Sequence, residues 1–235
     1  MTTTAAEKTF HLTSVLAAMQ LTDSAIPTGA FSHSLGFETY LDDGRIHDEE
    51  SFREWIGMFI NQQLTFTDAL AIRLIYHAED FDEIVAVDNL TTAQALPRQV
   101  RQAGITMGKR LLTIGTESFP GPWQKRYRTA VDEGEMHAHQ ACVWAVLARS
   151  TGLDEDTAVA QHLLATAISL TQNAVRAVPL GQNAGQRVIR HAHDTVLQAV
   201  EHSRSLSLDD LGAIAPGLEI AQMRHERQRS RMFMS

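Results

Sequence analysis

Apolar residues in this chain recur at three- and four-residue intervals almost from end to end, and that rhythm confines it to packed helices. Leu12, Val15, Leu16 and Met19 share one helical face. Phe52, Trp55, Ile56, Phe59 and Ile60 share another, behind a cap at Asp48 or Ser51. Further helices are predicted over about 67–78, 80–90, 92–114 (Pro97 in the first turn), 139–148, from Asp154 or Asp156 onward, and 183–202. In the helix after Asp156 the stripe Leu164, Ile168, Thr171, Val175 and Val178 carries the apolar rhythm; in the next it is Val188, Ala192, Val196 and Ala199. Ile26-Pro27-Thr28-Gly29 reads as a turn, because Pro27 fixes its own φ and Gly29 tolerates positive φ. The stretch 115–122 reads as a loop, and Asp132-Glu133-Gly134 as a break. Short runs such as Glu83 to Val87 are too brief and isolated to build a sheet. The expectation is an all-α protein: a single-domain bundle of about eight to ten helices over 1–215, followed by a basic tail over 216–235.

The 235 residues suffice for a real core without disulfide or metal staples. A net charge of −8 argues against bulk nucleic-acid binding, which needs a basic surface. The single cysteine, Cys142, can form no internal disulfide and suits a reducing cytosol. Met1 to Phe10 has no long apolar run and reads as neither leader nor anchor, and no stretch approaches the roughly 20 apolar residues of a membrane span.

Catalytic signatures are poor. Gly104-Ile-Thr-Met-Gly108-Lys109-Arg110 has three residues between its glycines, where a phosphate loop needs four and a following Ser or Thr. Close helix packing at two small residues is the better reading. Cys142 sits among Ala141, Val143 and Trp144 and reads as a small buried thiol. Eleven histidines include the pairs His137/His139 and His191/His193, but i and i+2 diverge on a helix and cannot readily grip one ion. Should 137–139 form a loop, that pair would be a weak nickel candidate. Otherwise no metal site is expected.

The tail is the most unusual segment. From Gly217 to Ser235, four arginines oppose Glu219 and Glu226, for a net +2 on an acidic protein. It is either a frayed, solvated end or, because Leu218, Ile220, Met223, Met232, Phe233 and Met234 interleave with the arginines, a segment that folds onto a partner.

Three segments carry a family likeness. Asp23-Ser24-x-x-Pro27-x-Gly29-x-Phe31-x-His33-Ser34-x-Gly36-x-Glu38 is the first, Arg176-x-x-Pro179-Leu180-Gly181-Gln182-x-x-Gly185-Gln186 the second, and Met223-x-His225-Glu226 continuing to Arg231-x-Phe233-x-Ser235 the third. In this order they resemble the urease accessory protein UreF family over nearly the whole chain. The stretch Met136-His-Ala-His-Gln140 departs from the family's usual His-Pro step.

The resemblance implies a non-catalytic, cytoplasmic, homodimeric scaffold for nickel insertion into apo-urease. It would bridge a UreD/UreH-type accessory protein and the urease accessory GTPase, with nickel handled by the complex and no cofactor bound tightly. The tail would order on binding the UreD/UreH-type partner through Glu219, Met223, Arg224, His225, Glu226, Arg231 and Phe233. Asp23, Pro27, Gly29, Phe31, His33, Ser34, Glu38, Arg176, Pro179, Gly181, Gln182 and Gln186 would shape the GTPase-facing surface and the dimer core. The bland alternatives are that Asp23 and Ser24 cap the segment after the turn and that Gln182 and Gln186 satisfy helix ends. Gly181 and Gly185 would let the backbone change direction after Pro179. Two other functions compete: a regulator of the GTPase acting through Lys109 or Arg176, and a histidine-based metal enzyme.

Overall fold

The computed structural model describes residues 5–212 and 215–235; the reading of 1–10 as neither leader nor anchor falls in part on 1–4, outside them. Among the described residues there is no strand. The chain runs α1 (Ala5–Thr22), α2 (Phe37–Asp42), α3 (Glu49–Met58), α4 (Leu70–His77), α5 (Phe81–Gln94), α6 (Arg98–Ser118), α7 (Pro122–Asp132), α8 (Gln140–Ser150), α9 (Glu155–Ala177), α10 (Gln182–Ser203) and α11 (Pro216–His225). No described helix is long and apolar enough to cross a membrane.

Local chemistry sets most boundaries. Asp48 caps α3 by accepting from the Ser51 N–H at 2.9 Å, and Ser51 returns the bond. Asp80 and Asp154 cap α5 and α9 in the same way. Pro122 opens α7, where its missing N–H costs nothing. Nothing in Phe59–Ala69 breaks a helix, so the segment joins α3 to α4 as a π-helical stretch. The two helices expected over 52–60 and 67–78 are therefore one rod.

α8 is the centre of the core. Ala141 to Ala148 are all buried, and α4, α6 and α9 pack around them. Three glycines of α6 admit this region. A Cβ on Gly104 would meet the His139 ring at 2.9 Å, one on Gly108 would lie 1.9 Å from the Ala138 carbonyl, and one on Gly115 would lie 2.4 Å from Leu147. The close-packing reading of Gly104 and Gly108 is thus what the structure shows. The loop expected over 115–122 begins only after Ser118, because Gly115 serves contact rather than chain reversal. The helix expected from Thr92 starts at Arg98 instead; Thr92 lies in the last turn of α5, and Pro97 precedes α6. Gly108→Ala should lower stability by about 3 kcal/mol, since the obstacle is backbone that cannot rotate away; denaturant unfolding checks this, and a loss under about 1 kcal/mol would refute the contact.

Two faces are turned differently from their periodicity. Among the described side chains of α1, Ser14, Ala17, Ala18 and Leu21 are buried, while Leu12, Leu16 and Met19 are 60%, 65% and 60% exposed. On α9 the buried face is Ala158, Val159, His162, Leu163, Ala167, Leu170, Thr171, Asn173 and Ala174; Leu164, Ile168 and Val175 are only half-buried. Small residues let α9 approach α10, whose Gly185 sits over Val175 and Thr171. The stripe on α10, Val188, Ala192, Val196 and Ala199, is buried as expected.

Candidate functional site

The segment 23–38 folds into a tight scaffold before α2. Asp23 accepts from the Ala25 N–H at 2.7 Å, fixing the first turn. Gly29 has φ +89°, and the Arg110 guanidinium lies where its Cβ would be while donating to the Thr28 carbonyl. Leu35 is held at φ +49°, a costly conformation for a branched side chain, and Gly36 follows at φ +109°. From α9, the buried Asn173 amide donates to the carbonyls of Ala30 and His33, at 3.2 and 2.7 Å. Arg176 donates to the Phe31 carbonyl and to Asn173 Oδ1. The second sequence segment therefore braces the first.

What this scaffold holds is the chain's own tail. α11 packs on α2 and α6, with Leu218, Ala221, Gln222 and His225 buried. Thr39 donates to the Ala221 carbonyl, and Gln222 to that of Leu35. Gly36 admits this approach: a Cβ there would lie 2.8 Å from Gln222 Cγ. Beyond α11 the last residues follow an irregular, bent path. Phe233 packs edge-on against Phe37, 5.3 Å between centroids, with the Arg176 guanidinium 5.3 Å from the Phe233 ring centre. The Ser235 backbone oxygen accepts from the N–H groups of Ser34 (2.6 Å) and Leu35 (3.0 Å) and from the Ser34 hydroxyl. His33 Nδ1 meets the Ser235 hydroxyl at 2.9 Å.

Glu38 is the centre of this seat and only 6% exposed. Its carboxylate accepts from the N–H groups of Met232 (2.5 Å) and Phe233 (3.1 Å) and contacts His225 Nε2 at 2.9 Å. Burial pushes the carboxyl upward, but the bonds from His225, Met232 and Phe233 outweigh it and hold Glu38 below the usual carboxylate range. A depressed folded value means the stabilisation is complete above the unfolded pKa and lost as pH falls through the folded one. Burial, with Arg110 nearby, lowers His33.

The family-derived site residues divide into two groups. Asp23, Pro27, Phe31, Arg176, Pro179, Gly181, Gln182, Gln186, Met223, Arg224 and Arg231 are exposed, with Glu219 and Glu226 half-buried. Arg224 pairs with Asp43 and Glu226 with Arg98. Gly29, His33, Ser34, Glu38, His225 and Phe233 are buried within the chain, at the tail and its seat. The tail lies seated on its own chain, with Leu218 and Phe233 buried, while Ile220, Met223, Met232 and Met234 stay exposed. Gly181 has an ordinary φ of −73° and Gly185 lies inside α10, so neither serves a change of direction; Gly185 serves close packing.

The 137–139 stretch is a loop, as the weak nickel reading required. All three of its N–H groups point at the buried Asp88 carboxylate, at 2.7, 3.1 and 2.7 Å, and Tyr127 donates to the same group. Ala138 is thereby held at φ +67°. His137 is exposed and His139 half-buried. Among the described residues no group of three or more His, Cys, Asp or Glu is placed to hold a metal ion. Cys142 is buried, and burial, then the charge of Asp88, pushes its thiol well above the ordinary value. Asp88 and Asn173 escaped the sequence reading. Their one signal is a polar residue on an apolar face, four after Ile84 and three after Leu170.

The fold and the site define an all-helical protein whose most distinctive loop seats its own tail. The UreF family model matches residues 46–193, the part of the chain lying between the loop and the tail. A urease accessory protein UreF from Kocuria rhizophila is 60% identical over 229 residues, covering 95% of this chain and 98% of the relative. Those from Corynebacterium efficiens and Lachnoclostridium phytofermentans are 57% and 41% identical, over 96% and 94% of this chain and 98% of each relative. The chain belongs to the UreF family.

Proposed function

We propose that this protein is a cytoplasmic scaffold for nickel insertion into apo-urease, bridging a UreD/UreH-type accessory protein and the urease accessory GTPase. The supporting observation is the outer face of the seated tail. Ile220, Met223, Met232 and Met234 are 57%, 43%, 59% and 67% exposed, and Arg227, Arg229 and Arg231 stand among them in water. Apolar anchors interleaved with arginine on a fixed backbone suit a protein partner. On this reading the tail takes the UreD/UreH-type protein. Leu12, Leu16 and Met19 expose a second apolar face on α1, Phe31 is exposed on the loop, and Pro179, Gly181, Gln182 and Gln186 are exposed beside one another in sequence. Leaving such side chains in water forgoes about 1.5–3 kcal/mol each, so we assign these surfaces to a second copy of the chain and to the GTPase. Nickel is cargo of the complex rather than a resident ion of this chain.

The test is binding by the double variant Met232→Asp, Met234→Asp. Both side chains are exposed, so its thermal midpoint should stay within a few degrees of the parent. Its affinity for the UreD/UreH-type protein should fall at least about 100-fold, as for a pair of anchors at the centre of an interface. Undiminished binding would remove the tail from the interface.

A further inference from the structure

The tail is caught by its backbone. Residues 232–235 form no regular element, yet burial alternates along them. Phe233 and Ser235 point inward, while Met232 and Met234 point out. Between them every backbone contact is made by the 32–38 segment: Glu38 accepts from the N–H groups of Met232 and Phe233, the Ser32 carbonyl accepts from that of Met234 at 2.8 Å, and Ser34 and Leu35 donate to the Ser235 oxygen. Backbone hydrogen bonds that supply affinity, with pockets for alternate side chains that supply selectivity, are how a protein captures a peptide.

We propose that Glu38 is a positioning residue for the partner interface: it sets the fraction of molecules whose tail is seated, and the partner binds only that fraction. The proposal rests on the functional reading above and adds its regulation. Glu38 touches no partner, because it is buried beneath the residues that would. Its effect is transmitted by register. With the carboxylate in place, Met232 and Met234 are fixed outward; without it, two N–H groups and His225 lose their common acceptor, and the tail loses what holds its inward side down. Apparent affinity then falls by the seated fraction, and the partner in turn favours seating.

The carboxylate's electrostatic surroundings are simple. His225 from α11 is the titratable group in contact with it. Farther out on the packed elements stand His33 on the loop, Arg110 on α6, Arg176 on α9, and the Arg224–Asp43 and Arg98–Glu226 pairs.

The experiment uses the full chain with Glu38→Gln, which keeps the shape but turns an amide NH2 toward groups that need an acceptor. Nuclear magnetic resonance of the Met232 and Phe233 amides reports seating directly. In the parent both signals should be shifted by the carboxylate and move in one step as Glu38 is protonated on acidification. In the variant they should take the positions of an unseated tail and show no such step. Affinity for the UreD/UreH-type protein should fall about tenfold or more. Should Glu38→Gln fail to fold, Ser34→Ala, which removes one donor to the Ser235 oxygen and leaves two, should give the same two changes at smaller size. Variant amides that stay at the parental positions would overturn the proposal and leave the functional reading standing; so would an unseated tail with parental affinity. Parental affinity in the Met232→Asp, Met234→Asp protein, with its tail still seated, would instead sink the functional reading.

Discussion

Asp88→Ala should cost about 4 kcal/mol and lower the thermal midpoint by roughly 10 °C or more. The carboxylate is fully buried on α5 and is the shared acceptor of three consecutive backbone N–H groups and the Tyr127 hydroxyl. Alanine leaves four donors without their acceptor, two of them buried and two part-buried, and each unpaired buried donor costs about 1–3 kcal/mol before relaxation and water entry recover part of it. It also frees Ala138 from its left-handed conformation, so the loop loses the geometry that seats the Ala138 carbonyl on Gly108. Asp88→Asn should fall between the parent and the alanine variant, because an amide oxygen serves only one side of the cluster. Burial, then the Asp88 charge, pushes the Tyr127 hydroxyl well above its ordinary range, so it stays a donor at any working pH. Denaturant and thermal unfolding of both variants measure this; a loss below about 1 kcal/mol for alanine would mean that the loop holds itself.

Arg73→Ala should cost about 3 kcal/mol by a different route. The side chain is 6% exposed on α4 and reaches two other helices. Its guanidinium donates to Glu155 (2.9 Å) and Asp156 (3.0 Å) at the start of α9, and to the Val200 carbonyl (2.7 Å) and Ser203 hydroxyl (2.8 Å) on α10. Asp156 is 41% exposed and keeps Arg204, so little is assigned to its charge. The cost comes from the buried acceptors on α10 and the space the stem fills. Arg73→Lys should recover less than half, since one ammonium cannot reproduce four divergent bonds. Equal midpoints for lysine and arginine would show that charge alone, not the fork, ties α4 to α9 and α10.

Some faces that periodicity marks as apolar are turned to solvent. On α1, Leu12, Val15, Leu16 and Met19 have the spacing of a core face, yet three of the four are well exposed. Periodicity reports that a helix has an apolar side, not whether that side meets its own chain or another. The basic tail shows the converse. Its composition left a frayed end and a partner-binding segment equally open, while the seat that holds it is built from residues some two hundred positions away.

Several local features follow from neighbours in sequence: caps at Asp48 and Asp154, the turn at Gly29, the stripe on α10. These depend on hydrogen bonds and φ preferences spanning a few residues, so the order of residues is enough to place them. The three family-like segments could be recognised for the same reason, but their geometry could not. Which of their residues face water, that Asn173 and Arg176 brace the loop, that Asp88 gathers the 137–139 stretch, and that Glu38 receives the tail were all decided by long-range packing. Buried polar groups must find partners wherever the fold places them, and only the folded chain puts positions 38 and 232 within a hydrogen bond of each other.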